Sequence, residues 1–498
     1  MTAIKIHTKI NYDSQKTNML KIKDTMSSRL KKIEPKDKEP FYMYVCGITP
    51  YDSSHLGHAR TFISFDIIRR WMQYGHNMSV VYIQNVTDID DKIINRAKQK
   101  AKLPLELAKE YDEQFKAQAK ILNILPATHM PRISEHIAQT IEMIQKLLDA
   151  QIAYITDTGV YYDISKFENY GKLSKQNLDK IKAGARIEID EKKKNPVDFA
   201  LWKFSDEKGA SYDSPWGRGR PGWHIECSAM SMHYTNGKSL DLHAGARDLI
   251  FPHHENEIAQ SEGAGYCPFC KIWTHTGFLT VNKEKMSKSL GNFITIDDAL
   301  NKNGWKPEVL RLFFAQTHYS SPIDFSKQAI ESAKNTFDNI KQSLAIMHGD
   351  GEVSDKQEEL TFRDRINSYM SKFSTAMDND FDTPTAISEL ILASKEVARA
   401  RAENKVGKDE LENAVSKIIE KFDMLGIVIV KYEFTSKKSL INTDESISDE
   451  EITKKINERE IARKDKDYQK ADKIREELKK AKVMIEDSKD GKVRYRRE

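Results

Sequence analysis

Three groups of residues in this chain have the types and spacing to do chemistry. "HLGH" at 55–58 sets two imidazoles beside a glycine backbone at the expected start of a helix. Unpaired N–H groups and the positive end of the helix dipole favour an anion there, phosphate above all. "KEKMSKSLGN" at 283–292 follows an expected strand and groups three lysines with two serines. Mobile ammonium and hydroxyl groups of this kind suit the neutralisation of a departing pyrophosphate, with Lys288 foremost. The third group has metal-binding types: Cys46 closes a strand, Cys227 lies in "HIECSAM", and "HHENE" puts His253 and Glu257 four apart, on one face of a helix. Two thiolates, an imidazole and a carboxylate can hold zinc. Spacing leaves a rival open, in which Cys46 and Cys227 join "CPFC", Cys267 and Cys270, as four thiolates. His254 and Glu255 are expected elsewhere on the helix, as structural groups or beside a substrate amine.

These residues need a scaffold, and the pattern around them predicts an α/β one. "FYMYVCGI" at 41–48 reads as a buried strand, and Phe62, Phe65, Ile68 and Met72 mark a helix from His55 that stops at Gly75. A strand at 79–86 and a helix at 90–100 follow, so the opening is strand, helix, strand, helix, the start of a Rossmann-like parallel sheet. A helical stretch at 104–152, a hairpin at 153–164 and a Lys-rich turn come next. The Gly- and Pro-rich loop "SPWGRGRPGWHIEC" is expected to hold no regular element. Strand at 239–245, helix at 253–263 and strand at 273–281 resume the alternation, so the middle reads as an insertion at about 120–225. Beyond about 325 no strand is expected. Four segments with apolar residues three and four apart form an antiparallel bundle over 326–430. A polar linker, one charged helix at 450–481 and a basic tail make a small domain over 445–498. Residues 1–18 read as an extension before a catalytic domain at 19–325.

Composition narrows the partners. Lys and Arg number 79 against 75 Asp and Glu, too even for a polycation, so nucleic-acid binding must come from local patches. Four cysteines are too few for a disulfide scaffold of 498 residues and suggest a reducing compartment. No apolar run approaches the roughly 20 residues of a membrane helix, so no membrane partner is expected and the location expected is cytoplasmic.

"HLGH" and "KMSKS", in this order, resemble the two signatures of class I aminoacyl-tRNA synthetases. "YVCGITPYD", "NVTDIDDKII", "PGWHIECSAM" and "FPHHENEIAQ" resemble the cysteinyl-tRNA synthetase family within that class, from about Leu20 to Glu498. The resemblance implies one zinc per chain, on Cys46, Cys227, His253 and Glu257, which selects a thiol; no editing domain is then needed. It implies that L-cysteine and ATP, with Mg2+, form cysteinyl-adenylate. His55, His58, Lys285 and Lys288 would be the catalytic groups stabilising phosphate charge, with His55, Gly57, His58 and Lys288 binding ATP. Trp223 would pack on the amino acid, Thr87 and Asp248 would contact its polar end, and His243 would lie nearby. "HAGARD" at 243–248 departs from the family's run of glycines, adding methyl groups at Ala244 and Ala246 and a charge at Arg247.

The cysteinyl group would pass to the terminal ribose of tRNA(Cys), held by a C-terminal domain whose tail offers Lys and Arg to phosphates and Tyr495 as a stacking ring. "WGRGRPGW" is a second basic patch. A monomer is expected. Two other functions fit parts of the pattern: a cysteine ligase acting on an amino sugar, which would lack the terminal domain, and a non-catalytic tRNA-binding paralogue, which would have lost a signature.

Overall fold

The computed structural model describes residues 19–36, 38–176, 192–287, 290–346, 350–351, 355–429, 447–481, 483–487 and 493–497. The expected extension at 1–18, Lys288 and most of the linker before residue 447 lie outside the described residues. The chain divides into two compact units, Met1–Ala329 with Thr375–Pro384 and Ile330–Ser374 with Thr385–Glu498.

The first unit is built on four parallel strands in the order Cys270–Thr276, Leu240–Ala246, Phe41–Ile48, Val80–Val86. Near-continuous apolar runs such as "FYMYVCGI" suit strands covered on both faces. From Phe41–Ile48 the chain steps outward to Val80–Val86 and later returns to the other flank, so the strand order reverses beside Phe41–Ile48. In open α/β sheets ligands bind at such a reversal, outside the carboxyl ends of the strands. Helix Leu56–Arg70 makes the first crossover and ends in a wider turn, Trp71–Gly75.

Several expectations are corrected. The helical stretch at 104–152 is two helices, Pro104–Ile121 and Ile137–Asp149, because Pro126 and Pro131 lie between them and cannot continue a helix. The loop at 214–227 contains strand Gly219–Pro221 and the start of helix Ile225–Tyr234. That strand completes an antiparallel sheet with Ala153–Ile155, Gly159–Tyr162 and Phe199–Phe204. Glycine there serves close approach, since a side-chain carbon on Gly219 would lie 2.3 Å from the Lys203 carbonyl oxygen. The strand at 273–281 breaks at Gly277; Leu279–Val281 leaves for a small sheet with Glu284–Lys285 and Ile323–Phe325.

Helices Lys327–Leu344, Lys356–Asp378, Thr383–Glu403 and Lys408–Met424 follow. The buried residues Leu411, Ala414, Val415, Ile418 and Phe422 of the last keep the three-and-four spacing. The charged helix at 450–481 is two helices, Asp449–Lys464 and Tyr468–Lys480, parted where Lys466 turns left-handed at φ 61°. Strands also return: Val483–Asp487 pairs with Val493–Arg497. Tyr495 shares the inward face of that hairpin and is buried with Ile452, Ile456, Ile474, Leu478 and Val483, so it is no exposed stacking ring.

Candidate active site

The two phosphate-type strings meet. His55 caps helix Leu56–Arg70, its Nδ1 accepting from the Gly57 N–H at 3.1 Å, and His58 Nδ1 accepts from the His55 N–H at 3.3 Å. The rings stack with centroids 3.8 Å apart. Each Nδ1 is an acceptor, so in the neutral rings the proton sits on Nε2. Burial, then His55, hold the His58 imidazole well below its ordinary range, so it is neutral at pH 7. The segment after "KMSKS" runs along this cap: Leu56 N–H donates to Ile294 O at 3.1 Å, Ile296 N–H to Ser54 O at 2.8 Å, and the Phe293 ring stands edge-on to His55. Lys285 is exposed at the end of Glu284–Lys285, and Asn292 closes the loop by accepting from Ser287 N–H and donating to Lys285 O. Arg60, buried one turn into the same helix, donates to the carbonyls of Phe278, Tyr319 and Ser321 at the base of this small sheet. Burial lowers it only to about 10, so it stays charged.

Beside the reversal point the four expected metal residues converge. Cys46, Cys227, His253 and Glu257 offer ligand atoms all within 4.8 Å of one another, and all four are buried. The two sulfurs are 3.9 Å apart, close to the roughly 3.8 Å of two thiolates on one tetrahedral zinc at about 2.3 Å. Glu257 divides its carboxylate. Its Oε1 lies 3.0 Å from His253 Nε2 and 3.6 Å from Cys46 Sγ, while Oε2 is 2.8 Å from His243 Nε2. Burial pushes Glu257 up, but His243 and His253 outweigh it and hold the carboxyl at about 2. Burial raises Cys227 too, yet the Cys46 hydrogen bond and His253 bring it to about 6. Cys46 goes well above its ordinary value through burial, Cys227 and Glu257. A thiolate–thiol pair beside a carboxylate is chemically ready for a cation.

A second overlapping group, Cys46, His243, His254 and Glu257, meets the same distance test. His254 therefore does not lie elsewhere on the helix. Its Nε2 is 3.2 Å from Cys46 Sγ, and its Nδ1 is 2.7 Å from His275 Nε2, whose Nδ1 is 2.8 Å from Thr25 Oγ1. Gly245 is the glycine of "HAGARD" that stays, since a side-chain carbon there would lie 2.9 Å from the His254 ring. Glu255 is structural, accepting from the Leu173 and Ser174 N–H groups. The four-thiolate rival is overturned: Cys267 is exposed, Cys270 donates to Ile272 O, and neither joins a ligand group among the described residues.

Around this centre the amino-acid candidates are spread. Trp223, partly exposed, stacks on the His253 ring at 4.6 Å. His243 is fully buried behind Glu257 and stacks on Trp273. Thr87 is buried where Val80–Val86 ends, its N–H donating to Ile48 O. Asp248 is exposed on the short turn Arg247–Leu249. Glu226, buried beside Thr87, is driven well above the carboxylate range by burial, Cys227 and Asp90, with Thr87 pulling the other way. Of the basic patch at 216–223, Arg220 is buried on Asp91 and Arg218 pairs with Asp213. Arg60, Asn85 and His275 went unselected in the sequence, and His254 was expected as a structural group or beside a substrate amine, not within reach of Cys46. Only His254 carried a signal, its three-residue spacing to Glu257.

Residues 32–335 match the family described as tRNA synthetases class I (C) catalytic domain, 372–429 the DALR domain, and 449–496 the Cysteinyl-tRNA ligase anticodon binding domain. The chain is 43% identical over 479 residues to the cysteine–tRNA ligase of Thermococcus gammatolerans, covering 95% of this chain and 98% of that one. The chain belongs to the cysteine–tRNA ligase family. A cysteine–tRNA ligase of Pelotomaculum thermopropionicum is 41% identical over 490 residues, covering 96% of this chain and all of the relative. The fold of this family member is shared at 15% identity by Mycobacterium tuberculosis methionyl-tRNA synthetase bound by methionyl-adenylate, with TM-score 0.56 over 78% of this chain and 90% of that one. It is thus a class I synthetase and a ligase.

Proposed function

We propose that the chain activates L-cysteine with ATP to cysteinyl-adenylate and transfers cysteine to the 3′-terminal ribose of tRNA(Cys), with one zinc on Cys46, Cys227, His253 and Glu257. One observation carries this reading: a buried thiol, thiol, imidazole and carboxylate set shares the sheet's reversal point with the "HLGH" string, to which the segment just after the lysine-rich string is held by backbone bonds. The donor set fits zinc in type and in sulfur spacing. Glu257 Oε1 turns toward Cys46 and His253 while His243 holds Oε2, the arrangement in which a neighbouring imidazole orients a ligating carboxylate. When bound there, zinc ionises and coordinates a thiol far more readily than an alcohol, supplying the discrimination against serine that shape alone limits to about a hundredfold.

The chain's own residues position and neutralise. The cysteine carboxylate attacks the α-phosphate, an oxygen–phosphorus bond forms, and pyrophosphate leaves. His55 and His58, as neutral rings with the proton on Nε2, donate to phosphate oxygens, and Lys285 and Lys288 neutralise the charge that develops. Thr87 holds the carboxylate and Trp223 covers the amino acid. Asp248 receives the ammonium group, and Mg2+ accompanies ATP. The ribose hydroxyl of tRNA then displaces AMP. We assign 19–325 to catalysis, 326–430 to the bundle and 445–498 to the anticodon, in a monomer of the cytoplasm. No helix among the described residues is long and apolar enough to cross a membrane. The match at 449–496 disfavours ligation to an amino sugar, and two intact signatures disfavour a non-catalytic paralogue. Cysteine-dependent ATP–pyrophosphate exchange followed by charging of tRNA(Cys) tests the reading. Exchange without charging would remove the tRNA step, and neither would remove the enzyme.

A further inference from the structure

We propose that Asn85 is a positioning residue that commits the Thr87 hydroxyl to donate toward the substrate carboxylate and ties that end of the pocket to Cys46. The inference rests on the reading of Thr87 given above. Asn85 is 1% exposed and precedes the last residue of strand Val80–Val86. The backbone N–H of Gly47 donates to Asn85 Oδ1 at 2.8 Å. A backbone N–H can only donate, so the amide oxygen faces Gly47 and the NH2 group faces the other way. That NH2 lies 3.2 Å from Thr87 Oγ1 and donates to it.

A hydroxyl that accepts from a fixed donor turns its own proton toward an acceptor. The candidates beside Thr87 are the Glu226 carboxyl and an incoming substrate carboxylate. Thr87 is thereby set to receive an anionic group, and an ammonium group at the same place would meet a donor. The amide also fixes distance. Gly47 follows Cys46 directly, and a side-chain carbon on Gly47 would lie 1.6 Å from the Asn85 carbonyl oxygen, so the two backbones touch. Thr87 N–H is bonded to Ile48 O at 3.1 Å. Residues 46–48 and 85–87 therefore form one rigid edge, with Cys46, a ligand of the zinc that would hold the substrate's sulfur, at one end and the Thr87 hydroxyl that would hold its carboxylate at the other. Buried, fully paired polar contacts of this kind hold a group in place more firmly than packing alone.

The test is a double-mutant cycle read by cysteine-dependent ATP–pyrophosphate exchange on zinc-replete full-length protein. Thr87→Val should raise the KM for cysteine by about 10- to 100-fold, the effect of one hydrogen bond to a charged group, with little change in the KM for ATP. Asn85→Ala should raise the same KM by about 5-fold or more alone and by nothing further in the Thr87→Val background. Asn85→Asp, which has the same shape and keeps an oxygen for the Gly47 N–H but no NH2 to donate to Thr87, should raise the KM for cysteine as Asn85→Ala does, with folding preserved if the alanine variant folds poorly. Additive effects, or an unchanged KM for cysteine in both Asn85 variants beside a raised one in Thr87→Val, would overturn the role of Asn85. An unchanged KM in Thr87→Val would overturn the reading of Thr87 and the inference with it.

Discussion

Replacing Cys46 with serine asks the protein's own side chain to repeat the discrimination proposed for its substrate. Cys46 is buried, with its sulfur 3.9 Å from Cys227 Sγ, 3.6 Å from Glu257 Oε1 and 3.2 Å from His254 Nε2. An oxygen in place of sulfur removes little volume, and its hydroxyl can donate to the same acceptors, so folding should be nearly undisturbed. Zinc binding should not be. Structural zinc contributes about 10–16 kcal/mol over four donors, or about 2.5–4 kcal/mol per donor, and at about 1.4 kcal/mol per factor of ten the loss of one thiolate weakens the metal by about 10²- to 10³-fold. Competition against a chromophoric chelator measures this, with the unfolding midpoint of chelator-treated protein as the control for folding. A Cys46→Ser variant that keeps wild-type zinc affinity would refute the donor set. One that loses affinity only together with the chelator-treated fold would refute the claim that Cys46 is a ligand and not a packing residue.

Two further outcomes follow from the geometry. Arg60→Met leaves the carbonyls of Phe278, Tyr319 and Ser321 without their charged donor and should slacken the base of the hairpin that carries Lys285. Pyrophosphate exchange should fall about 10-fold or more through kcat and the KM for ATP, with cysteine binding kept; a change confined to the KM for cysteine would contradict it. Stability should also fall on acidification. His275 is held at about 3 by burial, then by His243 and Arg247, and burial lowers His58, His224 and His254 as well. The unfolded chain takes up these protons near pH 6.5 while the folded chain refuses them, so stability present above that pH is lost below it, by about 2 kcal/mol per histidine between pH 7 and 5. His253, raised to about 10 by Glu257 and Cys227 against its burial, works in the opposite sense, but it is already protonated in the folded chain across this range and offsets only about 0.8 kcal/mol, less than half of one of the four. Urea midpoints of chelator-treated protein should show the slope, and His275→Asn should reduce it by about one proton; an unchanged slope would contradict the buried neutral ring.

The parallel sheet was legible because its strands are covered on both faces and read as apolar runs, and the helix after "HLGH" because its apolar spacing is regular. Boundaries were lost where a break has no Gly or Pro, as at Lys466, or where Gly serves close approach, as at Gly219. The C-terminal hairpin was hidden because in "VRYRR" half-buried Val493 and buried Tyr495 stand among arginines, and the density of charge makes the strand resemble a tail. At the site, ligand types could be read from composition. How their neighbours meet could not, because His243 and His275 come close only when strands Leu240–Ala246 and Cys270–Thr276 lie side by side, with His254 from the following helix packed against both. Asn85 was invisible for the same reason, since its partner Gly47 is on the adjacent strand.

The account stands most directly on one measurement: the ratio of cysteine- to serine-dependent ATP–pyrophosphate exchange, before and after chelation, on protein of known zinc content. The account predicts about one zinc per chain, exchange with cysteine and none measurable with serine, and loss of the cysteine activity on chelation with recovery when zinc is restored. Full cysteine-selective exchange by the zinc-free chain would contradict it.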